Sequence, residues 1–147
     1  MKSQFIIAIA LLSLVSCSKN EADPDLTQKY VGSWKSEVQR TNTQVYWVTY
    51  EVKRISNNLV SINAGDHWES LNGEFDNYTD EYLLDSAKVN SDQTIHIKSS
   101  RILANSQKLS YDGTGQIGSD TLTIQMIMDY DNMGNDIPTP MKFTKQN

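Results

Sequence analysis

A chain of 147 residues with 18 acidic and 13 basic side chains carries a formal net charge of −5, and its cations are scattered along the length. That balance disfavours nucleic acid as a partner, because binding there comes from clustered Lys and Arg neutralising phosphates. A single cysteine, Cys17, excludes an intrachain disulfide framework, and two histidines, His67 and His96, are too few for an ordinary zinc site.

The first element is Lys2 followed by an apolar run over 5–15 that only Ser13 interrupts. It is shorter than the roughly 20 residues a spanning helix needs, and it fits the core of an export signal. The polar stretch that follows Cys17, with Glu21, Asp23, Pro24 and Asp25, reads as a solvated tether. Leu14-Val15-Ser16-Cys17 resembles the lipobox of bacterial lipoproteins. That resemblance implies cleavage before Cys17, a lipid on its thiol and anchoring to the outer membrane; the other reading is an ordinary export signal with an incidental cysteine. Lys19-Asn20-Glu21-Ala22-Asp23 is also loosely similar to the tags that send some Bacteroidota lipoproteins to the cell surface, so the membrane face stays open. The expected organisation is a signal over 1–16, a lipidated cysteine and flexible tether over 17–29, and one folded domain over 30–147.

Beyond Tyr30 the pattern becomes short alternating segments separated by Gly, Asn, Asp and Ser. In 121–130, Leu122, Ile124, Met126, Met128 and Tyr130 share one parity, the period of a half-buried strand. The stretch 44–54 behaves similarly, and further strands are predicted at 33–39, 58–62, 68–75, 81–89, 94–99, 108–117 and 141–145. No window of about a dozen residues shows a 3.6-residue period; the best helical candidates are turns near 24–30 and 101–106. The expected fold is all-β, a single antiparallel up-and-down barrel of about eight strands, with a β-sandwich as the alternative. Gly118-Ser119-Asp120 is the sharpest hairpin signal. Gly113 and Gly115, inside one predicted strand, favour the barrel, because glycine within a strand marks a bend or a close approach.

Tyr30-Val31-Gly32-Ser33-Trp34 resembles the G-x-W opening of lipocalins and related calycin barrels. The resemblance implies that Gly32 and Trp34 build the barrel floor. Residues 109–125, "LSYDGTGQIGSDTLTIQ", are similar to a glycine-rich pattern in small lipocalin-like lipoproteins of Bacteroidota. The chain also departs from lipocalins. No arginine follows Arg101 to pack over the tryptophan, which leaves Lys142 and Lys145, and the helical pair of fatty-acid-binding barrels is missing. The resemblance therefore implies a shortened lipocalin-like barrel and no particular ligand.

Catalytic chemistry finds little support, and no catalytic residue, cofactor or metal is expected. His96 falls on the polar parity of its strand, and Asp66 and His67 lie on opposite faces of theirs, which disfavours a metal shared with Glu69. The carboxylate pairs Glu74 with Asp76 and Glu81 with Asp85 fit a solvated surface. Residues 129–136 match only part of a calcium loop, with Met133 and Pro140 at two failing positions, and read better as a turn. The G-x-G-x-x-G spelled by Gly113, Gly115 and Gly118 leads into a strand, so it lacks the helix N-terminus that a phosphate site uses.

Binding remains. Trp34 and Tyr130 are expected in the core, whereas Trp47 and Trp68 each share a strand with large residues of the opposite parity and cannot all point into one narrow interior. Trp47, Trp68, Tyr50 and Tyr111 are therefore the candidate ligand-binding residues. The expected function is a lipid-anchored envelope protein, not an enzyme, that holds a small hydrophobic or amphipathic ligand. The alternative is a ligand-free module acting through its outer face. The sequence leaves the oligomeric state open.

Overall fold

A computed structural model describes residues 24–131 and 138–147. The signal, Cys17, the tether up to residue 23 and residues 132–136 of the stretch read as a turn lie outside the described residues. The strands are β1 (Gly32–Ser36), β2 (Gln39–Arg40), β3 (Gln44–Ser56), β4 (Leu59–Ser70), β5 (Tyr78–Val89), β6 (Thr94–Ile102), β7 (Lys108–Ile117), β8 (Thr121–Tyr130) and β9 (Thr139–Lys145). From β3 to β9 each strand pairs antiparallel with the next; β9 then pairs with β1, and β1 with β3. The ladder closes into an eight-stranded antiparallel barrel, and the short β2 continues along the edge of β3 past the end of β1. No helix occurs among the described residues, and the sandwich alternative falls.

Alternation decides which side chains meet inside. Val48, Tyr50 and Val52 of β3, Val60, Ile62 and Ala64 of β4, and Leu122, Ile124 and Met126 of β8 are all buried. In β7 the inward positions include Gly113 and Gly115 because a side chain has no room there. A Cβ on Gly115 would stand 2.8 Å from both Ile124 Cγ1 and Ile95 Cγ2. The Gly118 turn closes the β7–β8 hairpin as expected, with Gly118 N–H donating to Thr121 C=O at 2.8 Å.

One end of the barrel is filled. Trp34 is buried, its Nε1–H donates to the Tyr30 carbonyl at 2.7 Å, and the Lys145 ammonium lies 5.4 Å from its ring centroid. Lys145 therefore occupies the place over the tryptophan for which the sequence offered no arginine, while Lys142 reaches Glu37 at 3.7 Å. Gly32, at φ 121°, lets the backbone turn into β1 beside the Lys145 stem. The segment leading into it is docked: Asp25 caps Thr27 and pairs with Arg54 at 2.9 Å, and Leu26 N–H donates to Asn57 C=O at 2.7 Å. The described end of the stretch expected as tether thus packs against the barrel.

One expectation is corrected. The strands predicted at 58–62 and 68–75 are one strand, β4, running unbroken through Gly65 and Asp66, while 71–75 form the bend before β5. Gly-Asp reads locally as a turn, but pairing with β3 on one side and β5 on the other holds this segment extended. The stretches 24–30 and 101–106 hold turns, as expected, the second of them following the last residues of β6.

Candidate functional site

The continuity of β4 fixes what the open end contains. Counting by twos from Ile62 through Ala64 places Asp66 and Trp68 on the inner face, and the register opposes them to Val48 and Tyr46 of β3 and to Asp80 and Tyr78 of β5. Tyr46 and Tyr82 both donate their hydroxyls to Asp66 Oδ1, at 3.3 and 3.4 Å. No hydrogen bond reaches Oδ2 from the described residues. Tyr46 packs on Trp68 with ring centroids 4.3 Å apart, and Tyr82 stacks on Tyr111 at 5.2 Å.

These groups surround a cleft of about 330 Å³ that Tyr50, Met126, Met128, Tyr130 and Met141 complete, with Gln39, Thr41 and Gln44 on one side of its rim. Tyr50 forms the bottom, buried and stacked on Phe143 with centroids 4.4 Å apart. A more voluminous groove, about 600 Å³, crosses strands β5 to β8 past Lys98, Ser110 and Asp112. It is shallow and walled largely by hydroxyls and charges of both signs, so it lacks the apolar enclosure of a small-molecule site.

The wall beside the cleft is parted. β5 and β6 pair only through residues 87–89 and 95–97, so the upper half of β5 has no ladder to β6. A bulge near Asp85 and Ser86, where β5 carries one residue more than β4, turns the strand away. Arg101 crosses the opening. Its two terminal nitrogens donate to Asp80 at 3.1 and 2.6 Å, and its guanidinium lies 4.2 Å from the Tyr82 ring centroid.

Electrostatics follow from this enclosure. Burial pushes the Asp66 carboxyl above the usual carboxylate range, the nearby Asp80 charge pushes it further, and the tyrosine hydroxyls pull it partly back. Burial also raises Tyr46, Tyr50 and Tyr82, and takes Tyr111 to about 12, so these phenols remain donors at neutral pH. Hydrogen bonds to Asp80 hold Arg101 firmly protonated.

Of the residues read from the sequence as ligand-binding, Trp68, Tyr50 and Tyr111 come together in the cleft. Trp47 does not. It has the opposite parity and lies on the outer face, stacked on His67 with centroids 4.9 Å apart and covered by the Lys35 ammonium at 4.9 Å. Tyr130 is corrected as well. Expected in the core, it is 46% exposed at the rim of the cleft. His67 stays on that outer face, with Nε2 2.8 Å from Thr49 Oγ1 and Nδ1 3.0 Å from Thr79 Oγ1. The sequence reading missed Asp66, Tyr82 and the methionines as cleft residues. The parity of Ile62, Ala64, Asp66 and Trp68 was the available signal, hidden because the strands predicted at 58–62 and 68–75 left 63–67 outside both.

No protein-family profile and no curated protein matches this chain by sequence. Solved structures do match its fold. The protein EF1p2_mFAP2b, bound to DFHBI, superposes with a TM-score of 0.56 at 13% identity over 83% of this chain and 98% of its own. A redesigned β-barrel gives 0.56 at 7% identity over 85% and 98%. A Bacteroides fragilis chain described provisionally as an outer membrane protein gives 0.49 at 15% identity, with 83% of this chain and 53% of that one covered. At such identities the likeness is one of fold.

Proposed function

We propose that this chain is a lipid-anchored, non-enzymatic binding protein of the bacterial outer membrane that holds one small amphipathic ligand in the open end of its barrel. The observation that carries the reading is the asymmetry of the interior. The floor is packed around Trp34, whereas the opposite end keeps a cleft of about 330 Å³ between Tyr46, Trp68, Tyr82 and Tyr111. An eight-stranded barrel is just wide enough either to be filled or to hold one small ligand, so leaving one end unfilled is a choice of side chains. Burying an apolar ligand against those rings supplies affinity, and the few polar groups orient it. A structure of this fold with a small molecule bound, EF1p2_mFAP2b with DFHBI, agrees with that use. The alternative, a module acting only through its outer face, draws support from the Trp47 and His67 stack but leaves the open end without a role.

Titrating the folded domain with the apolar fluorophore N-phenyl-1-naphthylamine tests the ligand reading. Saturable enhancement is expected, weakened at least several-fold by Trp68→Ala. Absence of saturable binding rejects it. For the anchor, resting on Leu14-Val15-Ser16-Cys17, the Cys17→Ser variant should move from the membrane to the soluble envelope fraction; a variant that stays membrane-bound rejects the lipid.

A further inference from the structure

Resting on that reading, we propose that the ligand is an organic cation, an amine carried on an apolar body, with its charged nitrogen at Asp66 and its body between the aromatic rings. The first support is charge. Asp66 is the one charged side chain among the described residues lining the cleft, and both tyrosine hydroxyls converge on its Oδ1, which leaves Oδ2 with no hydrogen-bond donor among the described residues. Arg101, the nearby cation, already engages Asp80 through both terminal nitrogens, so two carboxylates share one guanidinium. The inner end of the opening therefore carries an uncompensated negative charge in a partly dry setting, and a buried charge is costly unless it is paired.

The second support is the walls. Two ring pairs, Tyr46 with Trp68 and Tyr82 with Tyr111, flank this carboxylate, and tryptophan and tyrosine faces attract cations through their quadrupoles. The molecule already demonstrates that preference at the same place, since the Arg101 guanidinium rests over Tyr82 and 6.0 Å from the Tyr111 centroid. An anionic ligand would meet Asp66 as a like charge, and a neutral one would cover the carboxylate without pairing it. An amine supplies both the missing countercharge and the donors for Oδ2.

The test compares probes of one skeleton by calorimetry at neutral pH and low salt: tryptamine, its neutral alcohol analogue tryptophol, and anionic indole-3-propionate, each beside N-phenyl-1-naphthylamine. Tryptamine should bind at least about tenfold more tightly than tryptophol, equivalent to about 1.4 kcal/mol, and the propionate most weakly. In Asp66→Asn the ratio of amine to alcohol affinity should collapse towards one, whereas Trp47→Ala, on the outer face, should retain it. If tryptamine and tryptophol bind alike to the wild-type protein, the cation inference is overturned while the ligand-binding reading stands. If neither they nor the fluorophore bind, both are overturned.

Discussion

Arg101 grips Asp80 with two hydrogen bonds, at 3.1 and 2.6 Å, across the stretch where β5 and β6 do not pair. A planar guanidinium that binds a carboxylate bidentately and also lies on a tyrosine ring is replaced poorly by the point charge of lysine. Arg101→Lys should therefore loosen the mouth without unfolding the barrel. The amides of residues 78–86 should exchange hydrogen at least several-fold faster. Global stability should fall by only about 1 kcal/mol or less, because a partly exposed pair contributes little net. Exchange read by mass spectrometry checks this; unchanged protection of β5 would show that the wall holds without the bridge.

At the floor the expected effect is large. Trp34 lies between Tyr50 of β3 and Lys145 of β9 in the register and is buried at 1% exposure. Trp34→Ala should cost roughly 3 to 5 kcal/mol, a severe loss for a domain whose total stability is commonly about 5 to 15 kcal/mol. Lys145→Gln, which removes the cation over the ring and the ammonium's 3.3 Å hydrogen bond to the Lys29 carbonyl, should cost about 0.5 to 1 kcal/mol. Urea unfolding followed by circular dichroism measures both, and a near-neutral Trp34→Ala would remove the tryptophan from its role in the floor.

How much of this was legible depends on the range of the interaction that decides each feature. The paired strands around Gly118 and the inward face of β8 were readable because both are set by residues within one hairpin. The G-x-W stretch pointed correctly to a buried Trp34, and the barrel followed from strand spacing and the two β7 glycines. Asp66 shares the parity of Ile62 and Ala64, but that parity assigns it to the interior only once the strand is known to be continuous. Its place is imposed by β3 and β5 through cross-strand register, against a local Gly-Asp signal that reads as a turn. Trp47 and Trp68 are equivalent by composition, and a single step of parity sends one outside and the other into the cleft. The arrival of Lys145 over Trp34 required closure of the ladder between β1 and β9, which is a contact between the two ends of the domain.

The two β7 glycines should respond differently to the same change. At Gly115 a new Cβ meets Ile124 Cγ1 and Ile95 Cγ2, both at 2.8 Å, on branched side chains fixed in the core. At Gly113 it meets Met126 Sδ at 2.9 Å and Cε at 3.1 Å, the far end of a flexible side chain. Gly115→Ala should destabilise by about 1 to 3 kcal/mol through overpacking, and Gly113→Ala by clearly less. Chemical denaturation of the pair decides, and an equal or reversed order would mean that the methionine is as constrained as the isoleucines.

Asp66 should make the empty protein less stable as pH rises. Its carboxyl is raised in the folded state, chiefly by burial, above the 3.8 of a free aspartate, with Asp80 adding to the rise and Tyr46, Tyr82 and Arg101 opposing it. Below that ordinary value both states hold the proton and Asp66 contributes no penalty. As pH climbs through the window between the unfolded and folded values, the unfolded chain binds fewer protons than the native one, so stability falls with pH. Above the folded value the loss is complete. Asp66→Asn keeps an oxygen for the two tyrosine hydroxyls and removes the ionisation. The variant should therefore melt a few degrees above wild type at pH 7, with the advantage shrinking to nothing near pH 3 to 4, about where free aspartate titrates. Thermal melts of the two proteins across that range, without added ligand, make the comparison. A wild type equal to or more stable than Asp66→Asn at pH 7 would mean that the carboxylate is already compensated. The opposite result, together with a lost preference for amines, would identify Asp66 as a group kept at a cost to the fold because a ligand completes it.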